Sequence, residues 1–147
     1  MEVSTPGRIC LFGEHQDYLG LPVIAMAISL RAKIIGEKRL DQKVIIHMPD
    51  IERTERFDLN DMEYQKERDY FKSGIRVCKK EGLSFASGFE CEINSDIPIK
   101  AGTSSSSAIV VSWINFLNQM ADEPFKWTKK EIGDLAFKAE VIEFEEP

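Results

Sequence analysis

The chain has 147 residues, a length that suits one domain around a single core. Its formal net charge of -6, from 19 basic and 25 acidic residues, weighs against a nucleic-acid-binding surface, which needs clustered Lys and Arg. The longest apolar runs are too short to span a bilayer, and the N-terminus lacks a basic-then-apolar leader, so a cytoplasmic protein without a membrane segment is expected. In that setting Cys10, Cys78 and Cys91, odd in number and without metal-ligand spacing, are expected to be reduced and mostly buried.

In chain order, residues 9–12 read as a strand that ends at Gly13. A polar loop, residues 13–20, follows, and then a second apolar run over residues 22–30 that continues to residue 36. Residues 44–48 are rich in β-branched side chains and read as a strand, with His47 as a structural histidine, and residues 56–59 read as another. Residues 62–80 place Tyr70, Phe71, Ile75 and Cys78 at roughly helical spacing and stop at Gly82. Phe89, Cys91 and Ile93 alternate with Glu90 and Glu92, the pattern of a half-buried strand. Residues 104–120 carry Ile109, Val110, Trp113, Ile114 and Leu117 on one helical face. A last helix begins at Thr128, where Glu131 three residues on completes a capping-box signature. Strands first and helices later, with no regular alternation, argue for an α+β fold.

Residues 98–108, Pro-Ile-Lys-Ala-Gly-Thr-Ser-Ser-Ser-Ser-Ala, carry the strongest chemical signal. Four consecutive serines are poor core material, because each buried hydroxyl needs a partner. At a helix start they make sense. The first amides of a helix lack intrahelical partners, the dipole is positive there, and small residues let an anion approach the backbone. A cluster of N-cap residues is the plainer alternative, although one serine would suffice for a cap. Neither the Walker A pattern nor the Gly-x-Gly-x-x-Gly loop is present, and Lys100 reads as a solvated loop lysine.

Pro98-x-x-x-Gly102-x-Ser104-Ser105-Ser106-x-Ala108 resembles the phosphate-binding motif of the GHMP kinases, small-molecule kinases named for galactose, homoserine, mevalonate and phosphomevalonate. Thr103 and Ser107 stand where that family usually has Leu and Ala. A second block, Pro6-Gly7-Arg8-Ile9-Cys10-Leu11-Phe12-Gly13-Glu14-His15-Gln16-Asp17-Tyr18, resembles the galactokinase signature and departs from it at Ile9, Cys10, Phe12 and Gln16. Two carboxylates and an imidazole within four residues suit the hydroxyl-rich rim of a sugar. A metal site is the weaker reading of Glu14, His15 and Asp17, since no further His or Cys lies at ligand spacing.

The resemblance implies a ribosomal-protein-S5-domain-2-like α+β domain, with a left-handed βαβ unit and two layers of sheet and helices. It implies that Glu14, His15 and Asp17 contact sugar hydroxyls and that Arg8 acts catalytically at the acceptor hydroxyl and γ-phosphate. Gly102, Thr103, Ser104, Ser105 and Ser106 would wrap the triphosphate of ATP, with Ser106 reaching Mg2+. The implied reaction moves the γ-phosphoryl group to a sugar hydroxyl, of the galactose 1-phosphate type. The acceptor could also be another sugar, such as L-arabinose, a uronic acid or a heptose, or the chain could bind sugar and ATP as a regulator without transfer. Relatives of this kind have two domains. Residues 1–147 correspond to the first, so a C-terminal domain is expected to pack against it. In galactokinases the aspartate proposed as base follows a Gly-rich turn just past the last helix. A 147-residue chain ending short of it is expected to be inactive alone.

Overall fold

The computed structural model describes residues 1–99 and 104–145, apart from the side chain of Asp17. Five strands, β1 (Glu2–Phe12), β2 (Ile24–Lys38), β3 (Lys43–Met48), β4 (Arg53–Asp58) and β5 (Phe89–Ser95), form one mixed sheet in the order β1-β2-β5-β3-β4. β1 pairs with β2, β2 with β5 and β3 with β4 antiparallel, while β3 and β5 run parallel. Three helices, α1 (Tyr70–Lys80), α2 (Ser105–Met120) and α3 (Lys129–Glu140), pack on one another, and α2 also packs on β1, β2 and β5. This is the α+β, two-layer arrangement expected.

Period-two burial decides which face the helices cover. Ile34 of β2, Val44 and Ile46 of β3, and Phe89, Cys91 and Ile93 of β5 are buried, while Lys33, Ile35 and Glu92 between them are exposed. The core centres on Trp113, 1% exposed. Its ring lies 5.8 Å from Phe89 and 5.2 Å from Phe71, and its Nε1 donates to the Phe71 carbonyl at 3.0 Å. α1 can approach this ring because residue 74 is glycine: a Cβ there would meet Trp113 Cδ1 at 2.6 Å. Burial pushes the thiols of Cys78 and Cys91 up to about 12, while Cys10 is free and half-buried.

Two expectations change. Residues 62–69 are not helical, so α1 starts eight residues later than its apolar spacing predicts. Arg68 sits at φ 55°, a left-handed value that a right-handed helix cannot include. The predicted strand of residues 9–12 is the end of a longer one that runs through Pro6. Proline is tolerated there because β1 is an edge strand, with β2 as its one neighbour. On the open face of the sheet, His47 Nε2 meets Glu90 Oε1 at 2.8 Å, and Arg39 bridges Glu90 and Asp41. His47 is thus part of a surface polar network, in keeping with a structural role.

Candidate functional site

The loop between β1 and β2 is built on left-handed backbone. Gly13 has φ 86° and His15 φ 65°. Position 13 admits only glycine, since a Cβ would lie 2.8 Å from the Pro22 carbonyl oxygen as well. Gln16 N–H donates to the Gly13 carbonyl at 3.0 Å and Leu19 N–H to that of Gln16 at 3.0 Å, so the loop folds back on itself. This turn brings Glu14 and His15 beside Arg8 and Cys10 of β1. The side chains of Arg8, Glu14 and His15 make no hydrogen bond or ion pair with the described residues and are exposed.

Those residues share a cavity of about 280 Å3 with Gly13, Val23, Ala25 and Ser104. Three motif residues that the sequence separates from the serine run by some ninety positions therefore face its first described member. The cavity is two-sided. Arg8, Glu14, His15 and Ser104 offer charge and hydrogen bonds, whereas Cys10, Val23 and Ala25 form a less polar wall. The Cys10 thiol is turned to the Phe12 carbonyl at 3.1 Å. The backbone of Asp17 opens a short 3-10 turn, Asp17–Leu19, while its side chain lies outside the described residues. Lys100, Gly102 and Thr103 lie outside them too.

Ser104 is the N-cap of α2, in left-handed conformation at φ 53°, ψ 48°, and its side chain makes no capping hydrogen bond. The Ser106 and Ser107 hydroxyls donate instead to Glu140 Oε1, at 3.0 and 3.2 Å. The simple capping account therefore fails for the side chain of Ser104, while Thr103 lies outside the described residues. The first turn of α2 carries no acidic residue, so its dipole is not offset from within the helix. Successive serines open onto different spaces. Ser104 lines the Arg8 cavity. Ser105 lines an apolar cavity of about 140 Å3 with Phe71, Ile97, Ile99 and Ile109. Ser106 lines one of about 200 Å3, floored by Phe71, Ile109 and Trp113 and rimmed by Arg53, Lys66 and Arg68.

Glu140 is the residue that sequence reasoning missed. It lies 34 positions from Ser106, on another helix, and no local spacing links the two. A hydroxyl and a carboxylate on one point are hard oxygen donors of the kind Mg2+ takes, usually one or two carboxylates beside waters and phosphate. Among the described residues no group of three His, Cys, Asp or Glu could hold a metal ion, so a cation here would depend on its ligand's oxygens as well. No helix of the described residues is long and apolar enough to cross a membrane.

Comparison with known proteins bears on this geometry. Residues 69–145 match the family described as GHMP kinases N terminal domain, and residues 2–38 match the galactokinase galactose-binding signature. A galactokinase of Pyrococcus furiosus is 34% identical over 139 residues, covering 94% of this chain and 38% of that protein. A mevalonate kinase of the same organism is 29% identical over 149 residues, covering 95% and 44%. Among solved structures, Methanococcus jannaschii mevalonate kinase superposes with a TM-score of 0.86 at 24% identity, over 99% of this chain and 47% of that one. Lactococcus lactis galactokinase complexed with galactose gives 0.78 at 28%, over 95% and 37%. The chain thus spans between about a third and a half of the length of these relatives. With the serine motif at the start of α2, the signature block beside it and the family match across α1 to α3, the chain belongs to the GHMP kinases, whose N-terminal domain it carries.

Proposed function

We propose that the chain is the acceptor- and phosphate-binding part of an ATP-dependent kinase whose substrate is a sugar of the galactose type. The observation that carries this reading is the single cavity shared by Arg8, Glu14, His15 and Ser104. Glu14 accepts hydrogen bonds from sugar hydroxyls, and His15, with Asp17 by resemblance, completes the polar rim. The Ser104 side of the cavity is where the triphosphate of ATP enters. Gly102, Thr103 and the serines carry it onto the open amides of α2. The apolar cavity beside Ser105 suits the nucleotide base.

Ser106 and Glu140 would hold Mg2+, which offsets phosphate charge when bound. Arg8 adds fixed positive charge on the acceptor side, where negative charge spreads over the transferring oxygens. Little covalent chemistry is asked of these residues; holding two substrates in line is their contribution. Transfer itself is assigned to the whole protein, in which a C-terminal domain packs against this one.

A second reading, a mevalonate-like acceptor, is favoured by the apolar wall of Cys10, Val23 and Ala25 and by the mevalonate kinase relatives. Calorimetric titration of the chain, with Mg2+ and a non-hydrolysable ATP analogue present, separates the two. The galactose reading expects binding heat from D-galactose that His15→Ala abolishes. Heat from mevalonate and none from galactose moves the acceptor to the second reading. No heat from either acceptor overturns the site.

A further inference from the structure

Two charged side chains are buried one helical turn apart at the start of α1. Asp69 is 3% exposed and Lys72 is 2% exposed. No ion pair joins them, and Asp69 Oδ1 has no hydrogen-bond partner, alone among the buried side-chain polar atoms of the described residues. Lys72 Nζ donates to the Glu63 carbonyl at 2.7 Å and lies 5.3 Å from the centre of the Phe57 ring, which leaves donors unspent. The other buried polar side chains are matched: Ser73 Oγ donates to the Ala139 carbonyl, Ser112 Oγ to Thr5 Oγ1, and Asn118 bonds both backbone groups of Phe125. Unmatched buried charge costs more than a made hydrogen bond returns. Among the described residues, this is the one place where buried polar structure is left incomplete.

Asp69 and Lys72 line a common cavity of about 280 Å3, whose rim adds Arg53, Arg56, Lys66 and Glu55. Arg53 and Lys66 both pair with Glu55, so Arg56 and Lys72 are the cations of this cavity without a carboxylate partner among the described residues. In a chain of net charge -6 this is a local excess of positive charge. The start of α1 adds to it, since Asp69 gives the helix no side-chain cap.

We propose that this cavity binds a small hydroxylated phosphomonoester, with its phosphate on Lys72 and Arg56 and a hydroxyl donating to Asp69. A bare anion would match Lys72 and be repelled by Asp69. A neutral polyol would match Asp69 and leave the cations unused. One molecule carrying both groups completes the pair. The choice of class rests on the kinase reading in one respect, because a phosphorylated polyol is what such an enzyme makes. The cavity shares Arg53, Glu55 and Lys66 with the one that Ser106 lines. Its occupation would therefore bear on the nucleotide side of the site, as product feedback.

Amide NMR of the labelled chain, titrated with galactose 1-phosphate, inorganic phosphate and galactose in turn, reads this cavity and the Arg8 cavity separately. Galactose 1-phosphate is expected to shift the amides of Arg56, Phe57, Asp69 and Lys72 saturably and at least about tenfold more tightly than either simpler probe. Lys72→Met is expected to weaken it, and Arg56→Ala, on the exposed rim where folding is not at stake, to weaken it about tenfold. No saturable shift at those amides overturns the site, as does wild-type affinity in Arg56→Ala. Equal affinity for inorganic phosphate, an adventitious ion only, also overturns it. Shifts confined to Arg8, Glu14, His15 and Val23 would leave the kinase reading standing while this site falls.

Discussion

α2 and α3 begin with the same kind of residue and use it in opposite ways. At the start of α3, Thr128 Oγ1 accepts from the Glu131 N–H at 3.2 Å, and Glu131 Oε2 accepts from the Thr128 N–H at 2.6 Å, a closed capping box. At the start of α2, Ser104 is left-handed and uncapped, and the next serines spend their hydroxyls on Glu140 or on cavities. Burial accounts for the contrast. α3 buries Leu135, Ala136 and Ala139 alone, whereas α2 buries nine residues, among them Trp113, Phe116 and Leu117. A helix held by its body can leave its first turn open for a ligand; a helix with three buried side chains relies on its cap. An open helix start of this kind is thus recognised by what fails to cap it and by the burial that compensates further along.

The largest expected effect tests where α2 gets its stability. Trp113→Ala removes the ring that Phe71, Phe89 and Phe116 surround and leaves the Phe71 carbonyl without its donor. Urea unfolding should show a loss of about 3–5 kcal/mol. A loss near that of an ordinary surface change would mean that α2 is held elsewhere, and the contrast with α3 would fail.

How much of this contrast could be read in the sequence follows from distance along the chain. The Thr128–Glu131 box was legible because both partners lie within one turn. The alternation over Phe89, Cys91 and Ile93 was legible because each strand residue declares its own face. The serine run and the Arg8–Tyr18 block were legible as motifs, but that Ser104 would share a cavity with Arg8, Glu14 and His15 depends on β1, β2 and α2 packing together. Glu140 carried no signal at all. Residues 62–69 misled for a related reason. Tyr64 is held by tertiary partners, Phe144 at 5.3 Å and Glu143 at 2.8 Å, and these override the helical spacing of its neighbours.

The next effect in size concerns the cap that α3 does use. Thr128→Ala should cost about 1 kcal/mol at neutral pH in the same assay. Bonds from the Thr128 backbone and hydroxyl hold the Glu131 carboxyl below its usual range. A lowered folded-state pKa stabilises above the ordinary carboxylate range and ceases to do so as pH falls through that range to the lowered value. The cost of Thr128→Ala should therefore shrink in acid, because the bond from the Thr128 hydroxyl to the Glu131 carboxylate is already weakened there. The Glu131 N–H to Thr128 Oγ1 bond keeps it from vanishing. A cost independent of pH would show that the hydroxyl acts on the backbone alone.

The smallest effect has the opposite sign, and it is the sharpest test of the contrast. An N-cap serine replaced by glycine ordinarily loses a few tenths of a kcal/mol, because its side chain no longer meets the free amides. Ser104 makes no such bond, and its φ of 53° is a conformation in which a side chain is a liability. Ser104→Gly should therefore raise stability, by about 0.5 kcal/mol once the added freedom of the unfolded chain is set against the relief of strain. Thr128→Gly, at φ -70°, should lower it. Differential scanning calorimetry of the two variants side by side decides the matter by sign. If both lose stability, Ser104 is a cap after all, and the open first turn of α2 needs another explanation than a ligand.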